Sequence, residues 1–227
     1  MKVCIVIPAY NESRNIQRII NEINKLKLDL KIIVVDDGST DETLNLAKDF
    51  CAICIANKKN LGKGSSLIKG FDYALNEGFD LIITMDGDMQ HLPSDIPNFL
   101  DFYQQSKCDI LVGNRMLNTK NMPILRLLTN WIMSIFISSL CKQNIPDTQC
   151  GFRLINKEAL KKIDFETKRY EIESELLIKA AKKGFRIKSI PINTVYLGQK
   201  SQINPFIDTF RFINFVFKQI FMKKDYN

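Results

Sequence analysis

Histidine is almost absent from this chain of 227 residues, in which His91 stands alone. That excludes a metal centre built from several imidazoles and weighs against a Ser-His-Asp hydrolase. No stretch offers the roughly 20 uninterrupted apolar residues of a membrane-spanning helix. No apolar run follows a basic start, as a signal peptide would require, and the first eight residues read as a strand. Repeats and low-complexity linkers are missing too, so no domain cut is made and 1–227 reads as a single domain. Cysteines are few. Cys4, Cys51, Cys54, Cys108, Cys141 and Cys150 sit mostly inside apolar runs, which suits buried thiols of a reducing compartment. Cys51 and Cys54 have C-x-x-C spacing, but neither a second pair nor a His-x-His follows.

What is present is an ordinary globular balance, 45% hydrophobic and 25% charged, with a net charge of +7. The positive excess favours anionic partners: nucleic acid, anionic lipid or phosphorylated substrates. Strand-like and helix-like segments alternate through the first half. Apolar runs at 3–7, 32–35, 53–56, 81–85 and 110–112 predict strands. Helical spacing predicts helices over 12–28, 40–50, 63–77 and 94–105. Strands that are apolar throughout, rather than alternating, imply a mostly parallel α/β sheet of Rossmann type with helices on both faces. Beyond residue 115 the pattern loosens, with helices expected over 124–141, 171–183 and 205–222, a strand over 152–155 and an extended segment over 186–195.

In such sheets ligands bind beyond the carboxyl ends of the strands, and polar motifs follow each apolar run. Asp86-Gly87-Asp88 sets two carboxylates at i and i+2 after the most apolar strand. They suit a hard cation such as Mg²⁺ or Mn²⁺, which prefers oxygen and leaves sites open for phosphate. Gly87 is expected to give the tight turn, and Gln90 a neutral oxygen; the alternative is a polar turn that merely ends a strand. In Asp36-Asp37-Gly38-Ser39-Thr40-Asp41, Ser39 or Thr40 is expected to cap a helix, leaving one carboxylate for a nucleotide's base or ribose. Asn60-Leu61-Gly62-Lys63-Gly64-Ser65 is not a Walker loop and reads as a helix entry. His91 either donates to a phosphate or packs in its loop. Asp147 is a candidate second acid, and the run Glu171, Glu173, Glu175 reads mainly as dipole complementation and surface charge.

Taken in order, Ile7-Pro8-Ala9-Tyr10-Asn11-Glu12, Val35-Asp36-Asp37-Gly38-Ser39-Thr40-Asp41, Met85-Asp86-Gly87-Asp88-Met89-Gln90-His91, Gly113-Asn114-Arg115 and Asp147-Thr148-Gln149-Cys150-Gly151-Phe152-Arg153 resemble the family 2 glycosyltransferases of the GT-A fold. Within them the chain looks most like the polyprenyl-phosphate and dolichyl-phosphate sugar synthases. The resemblance runs from residue 3 to about residue 210. It implies an inverting transfer of a sugar from a nucleotide diphosphate to a polyprenyl phosphate. Residues 1–115 would form the nucleotide-binding half and 116–227 the half that faces acceptor and membrane. Pro8, Tyr10, Glu12, Val35, Asp37, Gly87 and Lys200 would hold the donor. Asp86, Asp88 and Gln90 would hold Mg²⁺ or Mn²⁺ and the diphosphate, with Arg115 near both phosphates. Some relatives carry arginine where this chain has Thr194. Because a lipid phosphate is already an anion, it needs positioning rather than a strong base, and Asp147 would orient it.

Residues 124–141, interrupted by Arg126, Asn130, Ser134, Ser138 and Ser139, and residues 206–222, rich in phenylalanine, would lie in a membrane interface, with Arg126 meeting the lipid phosphate. The alternative is that both helices pack on the sheet or on a second copy. The expected place is cytoplasmic, peripheral at the inner face of the cytoplasmic membrane, with a homodimer or a membrane-protein partner left open. Rival readings are a saccharide-hydroxyl acceptor, a nucleotidyltransferase that makes a nucleotide sugar, and a basic nucleic-acid module; the preferred reading involves no nucleic acid.

Overall fold

A computed structural model describes residues 1–50, 52–119, 122–195 and Phe215. The helix expected over 205–222 and the loop lysine Lys200 therefore lie outside the described residues. Seven strands make one sheet: β1 (Val3–Ala9), β2 (Leu30–Asp36), β3 (Ile53–Ala56), β4 (Leu81–Thr84), β5 (Ile110–Asn114), β6 (Arg153–Asn156) and β7 (Ile187–Pro191). Their order is β3-β2-β1-β4-β6-β5-β7. Among the described residues seven α-helices of known bounds accompany them: α1 (Ile16–Lys25), α2 (Thr43–Asp49), α3 (Lys63–Asn76), α4 (Ile96–Ser106), α5 (Ile124–Cys141), α6 (Lys157–Lys161) and α7 (Ile172–Lys182). β5 and β7 share the sheet with β1 to β4, and by chain contacts residues 1–196 form one compact unit and 197–227 another.

The apolar strands are the centre of the sheet, as their composition requires. Ile5 on β1 pairs with Ile32 on β2 and Ile83 on β4, and Ile5, Ile33 and Ile83 are wholly buried. From β1 the chain moves outward to β2 and β3, then returns past β1 to β4. The reversal makes the gap between the ends of β1 and β4 a topological switch point, where a crevice opens. Right-handed crossovers in opposite directions place helices on both faces.

One strand departs from the parallel expectation. β6 runs antiparallel between β4 and β5, with Arg153 opposite Thr84. Its beginning therefore sits beside the end of β4, and the loop 147–152 arrives at the same sheet edge as Asp86. Arg153 is buried there. Its guanidinium donates to the carbonyls of Cys150 (2.8 Å), Glu173 (2.5 Å) and Thr148 (2.9 Å), supplying donors that the irregular loop cannot find in a ladder.

Helix ends differ from the periodicity where side chains compete for the backbone. α1 starts late because Asn15 and Ile16 donate to the carbonyl of Glu12 in a preceding turn. Neither Ser39 nor Thr40 caps α2. Ser39 Oγ accepts from the Asn11 amide and the Thr40 amide donates to Asn11 Oδ1, while Asp41 Oδ1 accepts from the Thr43 amide. The short α6 was not foreseen and is capped by Asn156 Oδ1 on the Ala159 amide.

α5 has inverted polarity. Its inward stripe is Asn130, Ser134, Ile137 and Cys141, while Ile124 (84% exposed), Leu125 (75%) and Trp131 (54%) face out. The polar interruptions seen in the sequence are its docking groups: Ser134 Oγ accepts from the Thr148 amide, and Ser138 Oγ bonds both polar atoms of the Ile145 backbone. By length and composition α5 is the one helix among the described residues long and apolar enough to cross a membrane.

α3 lies close on the sheet because Gly70 has no side chain. A Cβ there would run into Val6 Cγ1 and lie 3.3 Å from Val35 Cγ2, both stiff core groups. Gly70→Ala should therefore destabilise the fold by about 1–3 kcal/mol through overpacking, although alanine is the better helix former by about 1 kcal/mol. Urea denaturation measures it, and a more stable variant would contradict the packing.

Candidate active site

Two turns meet at the switch point. After β1, Asn11 takes a left-handed conformation (φ 55°). After β4, Gly87 lies in a turn whose left-handed residue is Met89 (φ 60°). Asp88 Oδ1 accepts from the Gln90 amide at 3.0 Å and closes the turn locally. Gly87 lies against the other loop: a Cβ there would sit 3.4 Å from both Glu12 Cγ and the Pro8 carbonyl. Pro8, Tyr10 and Glu12 are partly exposed around it.

The carboxylates crowd one another. Burial pushes Glu12 up to about 7, and the charges of Asp88, Asp86 and Asp41 add to it against a hydrogen bond from Asn15. Burial and the charge of Asp86 push Asp88 above the usual carboxylate range. Burial would raise Asp86 as well, but the Lys63 ammonium outweighs it and holds the carboxyl at about 2. Lys63 Nζ lies 2.5 Å from Asp86 Oδ1 and 2.6 Å from Glu173 Oε1. Lys63 and Glu173 join the site unforeseen. The only signal was a basic residue in a glycine-rich loop at a strand end.

Glu173 and Glu175 are not surface charge. Glu175 is fully buried, accepting from the amides of Glu166 and Thr167 and pairing with Lys179 at 2.6 Å. A helix start rich in acids looks the same in sequence whether it faces water or loops that need acceptors.

Asp37 has both oxygens engaged, by Asn57 Nδ2 (2.8 Å) and the amides of Leu61 (3.0 Å) and Gly62 (2.8 Å). The buried carboxylate oxygen without a partner is Asp36 Oδ1. Val35, expected to touch the donor, has a wholly buried side chain that packs toward Gly70.

At the end of β5, Arg115 and Asp147 form a buried bidentate pair. Nε meets Oδ2 at 2.7 Å, Nη2 meets Oδ1 at 2.8 Å, and the Arg115 amide adds a third bond to Oδ2 at 3.0 Å. Asp147 has no exposed surface. Both of its oxygens are held by Arg115. Beside them His91 is buried against Phe152, and its Nδ1 accepts from the Asp86 amide at 3.4 Å. Burial brings His91 down to about 4, so it is neutral at pH 7 and packs in its loop. Arg126, half-buried on α5, donates to Gln90 Oε1 at 3.3 Å, which engages the oxygen expected to reach a cation. Thr194 makes an antiparallel bridge to His91, and the Val195 amide donates to the Gln90 carbonyl.

Among the described residues no three His, Cys, Asp or Glu side chains form a closed metal cage. Asp86 and Asp88 fit an open site instead. Both offer hard oxygen, a quarter of the Asp86 side chain is exposed, and Asp88 is electrostatically under-compensated. Mg²⁺ and Mn²⁺ use one or two carboxylates and complete their shells with water and phosphate.

The sheet, its switch-point crevice and its single reversed strand make the architecture that of the GT-A fold. A crystal structure of glucosyl-3-phosphoglycerate synthase from Mycobacterium tuberculosis with Mn²⁺, uridine diphosphate and phosphoglyceric acid shares this fold. It aligns with a TM-score of 0.73 at 18% identity, over 96% of this chain and 77% of that one. The sequence profile of glycosyl transferase family 2 matches residues 4–164, and the chain belongs to that family. It is 33% identical over 216 residues to a UDP-N-acetylglucosamine–dolichyl-phosphate N-acetylglucosaminyltransferase of Methanococcus voltae, covering 86% of each. It is 28% identical to a polyprenol monophosphomannose synthase of Mycolicibacterium smegmatis, covering 84% of this chain and 76% of that protein.

The buried pair sets a test. Burial would raise Asp147, but hydrogen bonds and charge from Arg115 outweigh it and hold the carboxyl below its usual range. A folded-state value below the unfolded one gives stability that is complete above about pH 4 and lost as pH falls through the folded value. Asp147→Asn should cost about 3 kcal/mol at neutral pH and decline less steeply in acid. Urea denaturation from neutral pH to about pH 3 reads both effects.

Proposed function

We propose that this chain transfers a sugar, with inversion, from a nucleotide-diphosphate sugar to a polyprenyl phosphate at a membrane surface. The observation that carries the lipid acceptor is α5: its outer face is apolar, and its Arg126 hydrogen-bonds Gln90 of the Asp86 turn. A helix suited to the membrane interface is thereby tied to the donor loop. The two relatives described above, both named for polyprenol- or dolichyl-phosphate acceptors, support the same reading.

Pro8, Tyr10, Glu12 and Gly87 line the donor crevice, and the unpartnered Asp36 oxygen adds an acceptor for base or ribose. Asp86 and Asp88, with Gln90 nearby, would hold Mg²⁺ or Mn²⁺, which supplies charge neutralisation for the departing diphosphate. Arg115, fixed by Asp147, brings positive charge that is felt at Asp86. Asp147 acts as a positioning residue rather than a base. That suits an acceptor which arrives ionised and needs no proton removed. Arg126 and Lys200 are the cations assigned to the acceptor and donor phosphates. The protein would work peripherally at the inner face of the cytoplasmic membrane.

The test is nucleoside diphosphate release from a panel of nucleotide sugars, with Mn²⁺ or Mg²⁺, with and without a short polyprenyl phosphate. Release should require both metal and lipid phosphate, and Asp88→Ala should lower it by about two orders of magnitude or more. Release that proceeds equally well with a saccharide and without lipid would refute the lipid acceptor.

A further inference from the structure

We propose that Lys63 is a resident monocation of the Asp86 site, a positioning residue with which an incoming divalent ion must compete for the Asp86 carboxylate. The inference rests on the cation reading of Asp86 and Asp88 and gives that site its missing counter-charge.

Lys63 opens α3 directly after Gly62, whose φ of 99° few other residues adopt. The approach is fixed from two sides. Asp37 accepts from the amides of Leu61 and Gly62, and the Ser65 amide donates to the Lys168 carbonyl at 3.1 Å. Gly64 presses on the backbone of Lys168 and Arg169, where a Cβ would approach within 2.5 Å. The lysine stem thus leaves a rigid base, and its ammonium reaches Asp86 and Glu173 together, at 2.5 and 2.6 Å. Gly151 closes over the pair: a Cβ there would lie 2.8 Å from Asp86 Oδ2 and 3.0 Å from Glu173 Oε1. A side chain there would require the Asp86 carboxylate to shift.

Asp86 and Glu173 share the Lys63 ammonium directly. Arg115 and Arg126 add positive charge that is felt at Asp86 and Asp88, while Asp88 and Glu12 stay raised by burial and by the charge of Asp86. A divalent ion gains the remaining attraction but is repelled by the lysine and loses the share of Asp86 that Lys63 holds. Its affinity for the protein alone is therefore held down, and the phosphates of a nucleotide make up the difference. Glu173, which touches no reacting group, anchors the ammonium away from the opening.

Mn²⁺ binding to the full chain without nucleotide, read as loss of the free-ion electron paramagnetic resonance signal, tests this without catalysis. Lys63→Met should bind Mn²⁺ about tenfold tighter or more, while Lys63→Arg, which keeps the charge, should stay within about threefold of wild type. Glu173→Gln should bind more weakly, because it removes an anion and leaves the ammonium to Asp86 alone. These opposite signs separate the proposal from general loosening, which would weaken every variant. Equal or weaker binding by folded Lys63→Met overturns the lysine's part alone. Should Lys63→Met fail to fold, binding by Glu173→Gln as tight as wild type overturns it instead. No Mn²⁺ binding by any of the proteins, with or without a nucleoside diphosphate, overturns the cation site and this inference together.

Discussion

The guanidinium of Arg153 holds together a region that neither a helix nor a ladder could support. The loop 147–152 must cross beneath the strand ends with its carbonyls out of water, and such groups are costly when unpaired. Arg153 takes two of them, from Thr148 and Cys150, and adds the Glu173 carbonyl of α7. Its backbone begins β6 opposite Thr84, whose hydroxyl in turn donates to the Gly151 carbonyl at 2.7 Å. The reversed strand, the loop carrying Asp147 and the start of α7 carrying Glu173 are therefore one unit. Every group of the candidate site from the second half of the described chain is referred to it.

From that unit the electrostatics follow. Carboxylates outnumber cations around the crevice, and each cation is shared or sealed. Arg115 is committed to Asp147, Lys63 to Asp86 and Glu173. The one imidazole is buried neutral beneath them. The one carboxyl of the site brought to about 7 is Glu12, which lies on the loop after β1 and accepts from Asn15. What the site offers is placement and charge, which is sufficient when the nucleophile arrives ionised and the leaving group is a diphosphate.

Much of this was legible in the residues, and what was not has a common cause. Strands β1 to β5 were visible because parallel strands buried on both faces must be apolar throughout, and their polar ends marked the site edge. The antiparallel insertion of β6 was invisible because four apolar residues look alike in either direction; only pairing with Thr84 decides it. Lys63 and Glu173, 110 residues apart, each had an adequate local explanation, helix entry for one and dipole complementation for the other. Asp37 was read toward the ligand, yet the amides of Leu61 and Gly62 needed its oxygens more. Local rules assign a polar side chain the nearest partner in sequence, while burial assigns it the nearest in space.

α5 makes the same point in reverse and bears on where the enzyme works. In a soluble protein a surface helix turns its apolar residues inward. Here two serines and an asparagine face the protein, Ser134 and Ser138 hydrogen-bonding a loop that would otherwise be unsatisfied, while Leu125, Trp131 and Ile132 face out. Apolar burial on the body is confined to Ile137 and Cys141, and specific polar contacts from Ser134 and Ser138 share the hold on this helix. Such contacts fix orientation well but leave an apolar surface to be covered. With Arg126 on the same helix touching Gln90, covering that surface and setting the donor loop are mechanically joined. On the proposed reading, a lipid acceptor would enter from the apolar side with its phosphate leading, and a membrane over α5 would bring nucleophile and donor loop together.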